Sequence, residues 1–288
     1  MPRHSPNDVI GSAPKPRRSE FVKTRQYVIR GGADGRERLR LLSEVMDAST
    51  RRLLEAVGIP PGAACLDVGC GGGDVTRVLA RATGPEGSVT GIDLDETELT
   101  LARSEAEQMG LGNIRFEVGD VTEWQAGRSF DVVYTRFLLT HLPDPRRLLA
   151  SLRRHIRPGG VIIIEDIDFR GHFAEPECAA LRRYVELYTA SVLARGADPY
   201  IGPKLPEMLY TAGFDDIQLM TFQPVALLGG IKDLTCITLE YIAETVVGDH
   251  LIGKTELSQL IAELRSYSND PHTVLGGPRV FQAWGRNA

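Results

Sequence analysis

Cys65-Leu66-Asp67-Val68-Gly69-Cys70-Gly71-Gly72-Gly73-Asp74 runs from a short apolar strand into a turn made almost wholly of glycine. Glycine takes left-handed backbone angles and lets a ligand approach the main chain where a side chain would collide. Val75 to Ala82, rich in helix formers, follows at once, so the turn lies between a strand end and a helix N-terminus, where free N–H groups gather. Such a turn is a ligand cradle. A dinucleotide fingerprint requires G-x-G-x-x-G, and counting from Gly69 finds Gly71 in place but Asp74 where the last glycine belongs. Asp67 sets a carboxylate at the strand end, which repels a pyrophosphate and suits a cationic or zwitterionic ligand. The next strand closes on Gly91-Ile92-Asp93, and a carboxylate there accepts hydrogen bonds from both hydroxyls of a ribose. A ribonucleoside with a positive, non-phosphate tail satisfies both acids.

S-adenosylmethionine is such a molecule. Leu66-Asp67-Val68-Gly69-Cys70-Gly71-Gly72-Gly73 resembles the glycine-rich motif of class I S-adenosylmethionine-dependent methyltransferases of the small-molecule type. The likeness continues, in the family's order, through Gly91-Ile92-Asp93, Gly119-Asp120, Phe130-Asp131-Val132-Val133 and Arg157-Pro158-Gly159-Gly160. It covers about residues 60–170; Tyr27 to Leu42 matches more loosely, and from Gly171 onward only the order of elements is family-like. The resemblance implies a Rossmann-like, doubly wound α/β fold of seven strands, the last antiparallel, with S-adenosylmethionine as cofactor and S-adenosylhomocysteine as product. It places Gly69 and Gly71 in the cofactor turn, Asp93 on the ribose, Asp120 on the adenine amino group, and Leu94 and Val121 on either side of the base. Tyr27 is the candidate to close the methionine end, its other reading being an aromatic that packs a helix onto the core. The Asn/Asp-Pro-Pro-aromatic signature of amino-methylating relatives is replaced here by Tyr134-Thr135-Arg136-Phe137; Thr135 and Arg136 then line the methionine end or the mouth of the acceptor pocket.

Composition narrows the class. A chain of 288 residues has room for one elaborated domain with a substantial core. Its 42% hydrophobic and 25% charged content is that of a soluble globule, and a net charge of -5 argues against a phosphate-tracking, nucleic-acid surface. Four cysteines without a C-x-x-C pair or zinc spacing point to cytoplasmic thiols and to no metal site, and no apolar run is long enough for a bilayer. Residues 1–20 read as a flexible tail, 21–60 as an N-terminal helical cover, 61–170 as the cofactor-binding core, and 171–288 as the rest of the sheet. Two helices are expected before the sheet, from Phe21 to Arg30 and Arg36 to Ala56. Strands follow near 64–68, 88–92, 114–118, 131–135, 161–166, 216–223 and 280–284. Helices fill 74–82, 96–109, 144–156, 177–194 and 205–212. Between the last two strands lies a long insertion, about 227–277, with helices over 237–247 and 255–267 and Thr255 as N-cap; it reads as a substrate lid or an oligomer interface.

Three residues are candidate catalytic groups. His141, in Leu139-Thr140-His141-Leu142, is the side chain of that stretch that titrates near neutrality, but a histidine in this Leu-x-His-Leu context is common across the fold whatever the substrate, which favours a structural hydrogen-bonding role over that of a base. Asp166 belongs to a crowd of Glu165, Asp166 and Asp168, whose mutual repulsion raises a pKa unless the acids cap loops. His172 is a second candidate base. The function expected is methyl transfer to a small apolar metabolite of secondary metabolism at O, N or C. Two alternatives stand beside it: a cyclase or rearrangement enzyme on the same fold, and a cofactor-binding regulator without chemistry. A homo-oligomer is compatible with all three.

Overall fold

The computed structural model describes residues 35–125 and 127–288; the expected tail, the Phe21–Arg30 helix and Tyr27 lie outside them. Helix α1, Arg36–Val57, packs its two halves on different partners. Leu41, Leu42, Val45 and Met46 join the core beneath the insertion, while Leu53, Leu54 and Val57 pack against the sheet. The helix ends at Gly58, whose left-handed φ of 74° turns its N–H back to the Leu54 carbonyl.

From there strand and helix alternate: β1 Ala64–Val68, α2 Asp74–Thr83, β2 Ser88–Asp93, α3 Glu96–Gln108, β3 Ile114–Val118, β4 Phe130–Arg136, α4 Pro145–Arg153 and β5 Ile156–Asp168. The second half adds β6 Phe173–Glu175, α5 Ala179–Ala194, α6 Leu205–Thr211, β7 Phe214–Phe222 and β8 Val225–Ala226. Helices α7 Ile231–Tyr241, α8 Ala243–Gly248 and α9 Lys254–Asn269 precede β9 Val274–Gly276 and β10 Arg279–Asn287. The main sheet has the order β3-β2-β1-β4-β5-β10-β7, and β10 runs antiparallel to both neighbours. This is the doubly wound, seven-stranded arrangement that the motif order implies. The order reverses between β1 and β4, and ligands bind outside the carboxyl ends of the strands at such a point.

The central strands are continuously apolar because both of their faces are covered. Leu66, Val133, Ile162 and Ile164 point to one side with Leu148, Leu152, Leu205 and Leu209. Cys65, Val132, Tyr134 and Ile163 point to the other with Leu53, Leu54, Val75 and Leu79. Two boundaries differ from expectation. Helix α4 stops at Arg153, short of the expected 156, because the His155 carbonyl is already accepting the Phe130 N–H at the start of the strand pairing. In the insertion the first helix begins at Ile231, six residues early, since Gly230 at φ 52° and ψ -119° makes the entry turn; α9 begins at Lys254 behind Gly253, so Thr255 lies in its first turn and is not its cap. Among the described residues no helix is long and apolar enough to cross a membrane.

A second, three-stranded sheet, order β6-β9-β8, was not foreseen. It pairs Phe173–Glu175 with Val274–Gly276, and the latter with Val225–Ala226, so both roots of the insertion are tied to the segment that leaves β5. Buried Lys232 locks the same junction. Its ammonium donates to the carbonyls of Leu227 at 2.6 Å, Asp270 at 2.9 Å and Thr273 at 3.1 Å, and to the Thr273 hydroxyl at 2.7 Å. Removing the donor leaves four acceptors at this junction without their shared partner, at a cost of roughly 2–4 kcal/mol. Lys232→Met is therefore expected to lower the melting temperature by about 4–10 °C, measured by calorimetry; a shift within about 1 °C would show that the junction is held otherwise.

Candidate active site

The carboxyl ends of β1 and β2 build one side of the site. After Val68 the chain turns through Gly69 at φ 71° and Gly71 at φ 49°, angles that L side chains rarely adopt, and a Cβ on Gly69 would come within 3.2 Å of Leu138. The Gly69 and Cys70 amides donate to the Ile92 carbonyl, and Arg77 donates to the Gly72 carbonyl at 2.8 Å. Asp93 fixes the turn from below: one carboxylate oxygen accepts the Gly71 N–H at 2.8 Å, the other the Asp95 N–H at 3.0 Å. Its two oxygens offer about four acceptor sites, so capacity for an outside donor is left over. Burial raises the Asp93 pKa, against the pull of the Asp95, Gly71 and Leu94 amides.

Asp67 is buried and accepts the Thr76 hydroxyl at 2.6 Å. Burial pushes its carboxyl up to about 6, with Thr76 and the Arg136 guanidinium opposing the shift. At the far end, both bonds that Asp120 takes from Thr122 fall on one oxygen, Oδ1, at 3.0 and 2.7 Å. Leu94 is 48% exposed and Val121 only 8%, so one candidate flank for a base faces solvent and the other is set in the core. A glycine turn at the switch point of the sheet and three carboxylates spaced along it fit an adenosyl ligand with a cationic tail.

The exit of β4 builds the other side. Thr135 is buried, its hydroxyl donating to the Val68 carbonyl at 2.9 Å, so it stitches β4 to β1. The next residue, Arg136, stands among acids. Burial works against its charge, but Tyr134, Glu165, Asp74 and Asp67 raise its pKa. Behind it Glu165, fully buried, accepts from the Thr50 hydroxyl at 2.8 Å, the Gln282 amide at 2.7 Å and the Tyr134 hydroxyl, and Arg136 donates to Thr50 at 3.3 Å.

The three neighbouring acids of β5 have separate fates. Asp166 accepts the Thr140 amide at 3.1 Å and the Ile167 amide at 2.9 Å, which ties down the turn after β4; burial pushes its pKa up to about 7. Asp168 pairs with Arg170 at 2.7 Å and Arg279 at 3.0 Å. Asp166 is therefore outside the cavity in which His141 and His172 meet.

That cavity, open to solvent at its mouth, lies between α1, the turn after β4, the end of β5, α5 and α7. Leu42, Met46, Phe137, Phe169 and Leu234 supply apolar walls, and Tyr184 and Tyr188 the aromatic back. Phe169 stacks on Tyr188 at 4.0 Å and lies 4.4 Å from the His172 ring. His172 Nδ1 is 2.9 Å from the Phe169 carbonyl, an atom that only accepts, so the proton is on Nδ1 and Nε2 is the acceptor. Burial drives the His141 pKa down to about 3, helped by Arg38, and the His172 pKa down to about 4 although an edge of its ring stays accessible. Reading the sequence missed Tyr184, Tyr188, Phe169 and Arg38. The tyrosines stand four apart on one face of α5, a spacing equally typical of plain core; Arg38 is one of three arginines at alternate positions, indistinguishable until the helix is placed.

Residues 59–209 match the family model described as "Methyltransferase domain". Over 248 residues the chain is 35% identical to trans-aconitate 2-methyltransferase of Deinococcus radiodurans, an alignment that covers 84% of this chain and 92% of that one. Among solved structures, a coclaurine N-methyltransferase bound to N-methylheliamine and S-adenosylhomocysteine superposes with a TM-score of 0.52 at 18% identity, over 82% of this chain and 71% of its own. The [4+2]-cyclase SpnF superposes with a TM-score of 0.51 at 20% identity, over 83% and 81%. These two likenesses are of fold. With over half of its length inside the family model and so similar a relative along nearly all of its own, the chain belongs to the methyltransferase-domain family, as a class I S-adenosylmethionine-dependent methyltransferase.

Proposed function

We propose that the acceptor of this methyltransferase is a small, predominantly apolar metabolite that binds in the cavity between α1, α5 and α7, in the cytoplasm. The observation that carries this is the cavity itself: apolar and aromatic walls open at the carboxyl edge of the sheet, beside the exit of β4. The named substrates of the relatives, trans-aconitate and coclaurine, are small molecules too. Four cysteines without a disulfide agree with a reducing compartment.

When bound, S-adenosylmethionine supplies an electrophilic methyl group on a sulfonium. In this reading Asp93 holds the ribose, Asp120 the adenine amino group, and Leu94 and Val121 the faces of the base. Asp67, Gly69, Gly71 and Thr135 shape the amino-acid end, where Arg136 meets the carboxylate. The acceptor side contributes alignment and exclusion of water, since His141 and His172 are too weakly basic to draw a proton from a neutral alcohol. Mass spectrometry of candidate acceptors after incubation with S-adenosylmethionine tests the function: a gain of one methyl group supports transfer, whereas an isomer of unchanged mass supports the cyclase alternative.

Two calorimetric titrations divide the cofactor roles. Arg136→Gln is expected to weaken S-adenosylhomocysteine by roughly 10–100-fold while leaving 5′-methylthioadenosine, which lacks the amino-acid end, within about threefold. Asp93→Ala is expected to weaken both ligands. Equal loss of both ligands in Arg136→Gln would remove that residue from the amino-acid end.

The histidines give a pH expectation. Their folded pKa values lie below the unfolded value near 6.5, so their contribution to stability is complete above about pH 6.5 and is lost as pH falls toward 4 and 3. Asp166, raised to about 7, acts in the opposite sense and loses stability as pH rises from about 4 toward 7. Denaturant titrations of wild type against His172→Gln are expected to show the variant losing less stability between about pH 6.5 and 4. The methyl-transfer rate between about pH 6 and 8 should show no limb that disappears in the variant; such a limb would make His172 the base.

A further inference from the structure

Arg36, Arg38 and Arg40 open α1, and the three side chains go different ways. Arg36 pairs with Glu98 at 3.0 Å and with Glu105, closing over the glycine turn; Arg40 is exposed. Arg38 lines the acceptor cavity. Its Nε donates to the Thr238 hydroxyl of α7 at 3.1 Å, and that hydroxyl donates in turn to the Leu234 carbonyl at 2.7 Å. The guanidinium is thus oriented from the insertion side by one of its five N–H groups, with the planar fork of the others available.

The described residues that line the cavity around it are apolar, aromatic or neutral polar. Among the described residues that line the cavity there is no carboxylate, and Arg38 is the one permanent cation. The charge is felt within: it lowers the pKa of His141, and it opposes the rise that burial imposes on Tyr184. A cation facing apolar walls is costly unless an anion completes it. A guanidinium also suits a carboxylate better than an ammonium does, because two parallel N–H groups match its two oxygens.

Resting on the reading of this cavity as the acceptor site, we propose that Arg38 anchors an oxyanion, a carboxylate or a comparably small acidic group, so that the acceptor class is an amphiphilic anion with an apolar body. Thr238 positions the anchor. The apolar body lies against Leu42, Met46, Phe169 and Leu234. The anchor sets the acceptor's orientation, and the methylated atom is a separate matter of what then faces β4.

The test uses octanoate and its neutral counterpart octanamide, titrated calorimetrically into the full chain saturated with S-adenosylhomocysteine. Wild type is expected to bind octanoate at least about tenfold more tightly than octanamide, the worth of one charge-assisted contact. Arg38→Met and Arg38→Gln should bring the two within about threefold of each other with octanamide affinity little changed, and Arg38→Lys should keep part of the preference. Unchanged affinity for S-adenosylhomocysteine shows that each variant is folded. Equal binding of the two probes in wild type, or a preference that survives Arg38→Met, would overturn the anchor and leave the apolar acceptor site standing. If neither probe binds, the anchor and the acceptor reading of the cavity fall together.

Discussion

One buried carboxylate holds the working edge of this sheet together. Glu165 on β5 is reached by Thr50 of α1, Tyr134 of β4 and Gln282 of β10, and Gln282 also donates to Ser49 at 3.0 Å. A carboxyl group taken from water is costly unless its oxygens are fully used, and a network of this kind stabilises only as a complete set. Four elements distant in sequence therefore share one geometric condition. Through Thr50 the condition extends to Arg136, and through α1 to every side chain that this helix carries over the site. Displacing the helix would leave Glu165 short of a donor, so the cover over the site is a fixed wall and not an independent flap.

The helix reaches further because its two halves serve two cores. Leu53 and Leu54 bind it to the sheet, whereas Leu42, Val45 and Met46 bind it to α5 and the insertion. The insertion is fixed in turn by the small sheet and by the ammonium of Lys232, which joins Leu227, Asp270 and Thr273 across its base. The cavity between α1, α5 and α7 is what remains between two assemblies whose relative placement is set elsewhere. Its shape follows from Glu165 at one end and Lys232 at the other.

What could be read without coordinates was whatever obeys a local rule. The glycine turn, Asp67, Asp93 and Asp120 are each a strand end followed by a turn, and the strand-helix alternation around them fixes the order of the sheet. Asp166 shows where local reading stops. Its crowded acids and raised pKa were expected, yet the carboxyl serves the Thr140 and Ile167 amides, because the turn after β4 needs an acceptor there and no periodicity in the sequence signals that need. The small sheet was illegible for a like reason: two of its strands have three residues and one has two, and they pair across about fifty and about a hundred positions. Arg38 and Tyr184 became site residues only when α7 was laid over them.

The two sides of the site divide the electrostatics between them. On the cofactor side Asp67, Asp74 and Asp93 surround the turn, and Arg136 offsets part of their charge, an arrangement that tolerates a cationic ligand with a zwitterionic end. In the cavity between α1, α5 and α7 burial keeps both histidines neutral, and among the described lining residues the permanent charge is Arg38. If the cavity takes an anionic acceptor as proposed, acids around the turn and a guanidinium in the cavity would orient two oppositely charged partners toward each other. The sulfonium loses its positive charge as the methyl group leaves, a change that apolar surroundings favour, and a general base would add an ionisable group among apolar walls. The low basicity of His141 and His172 is thus part of the same design that makes the cavity apolar.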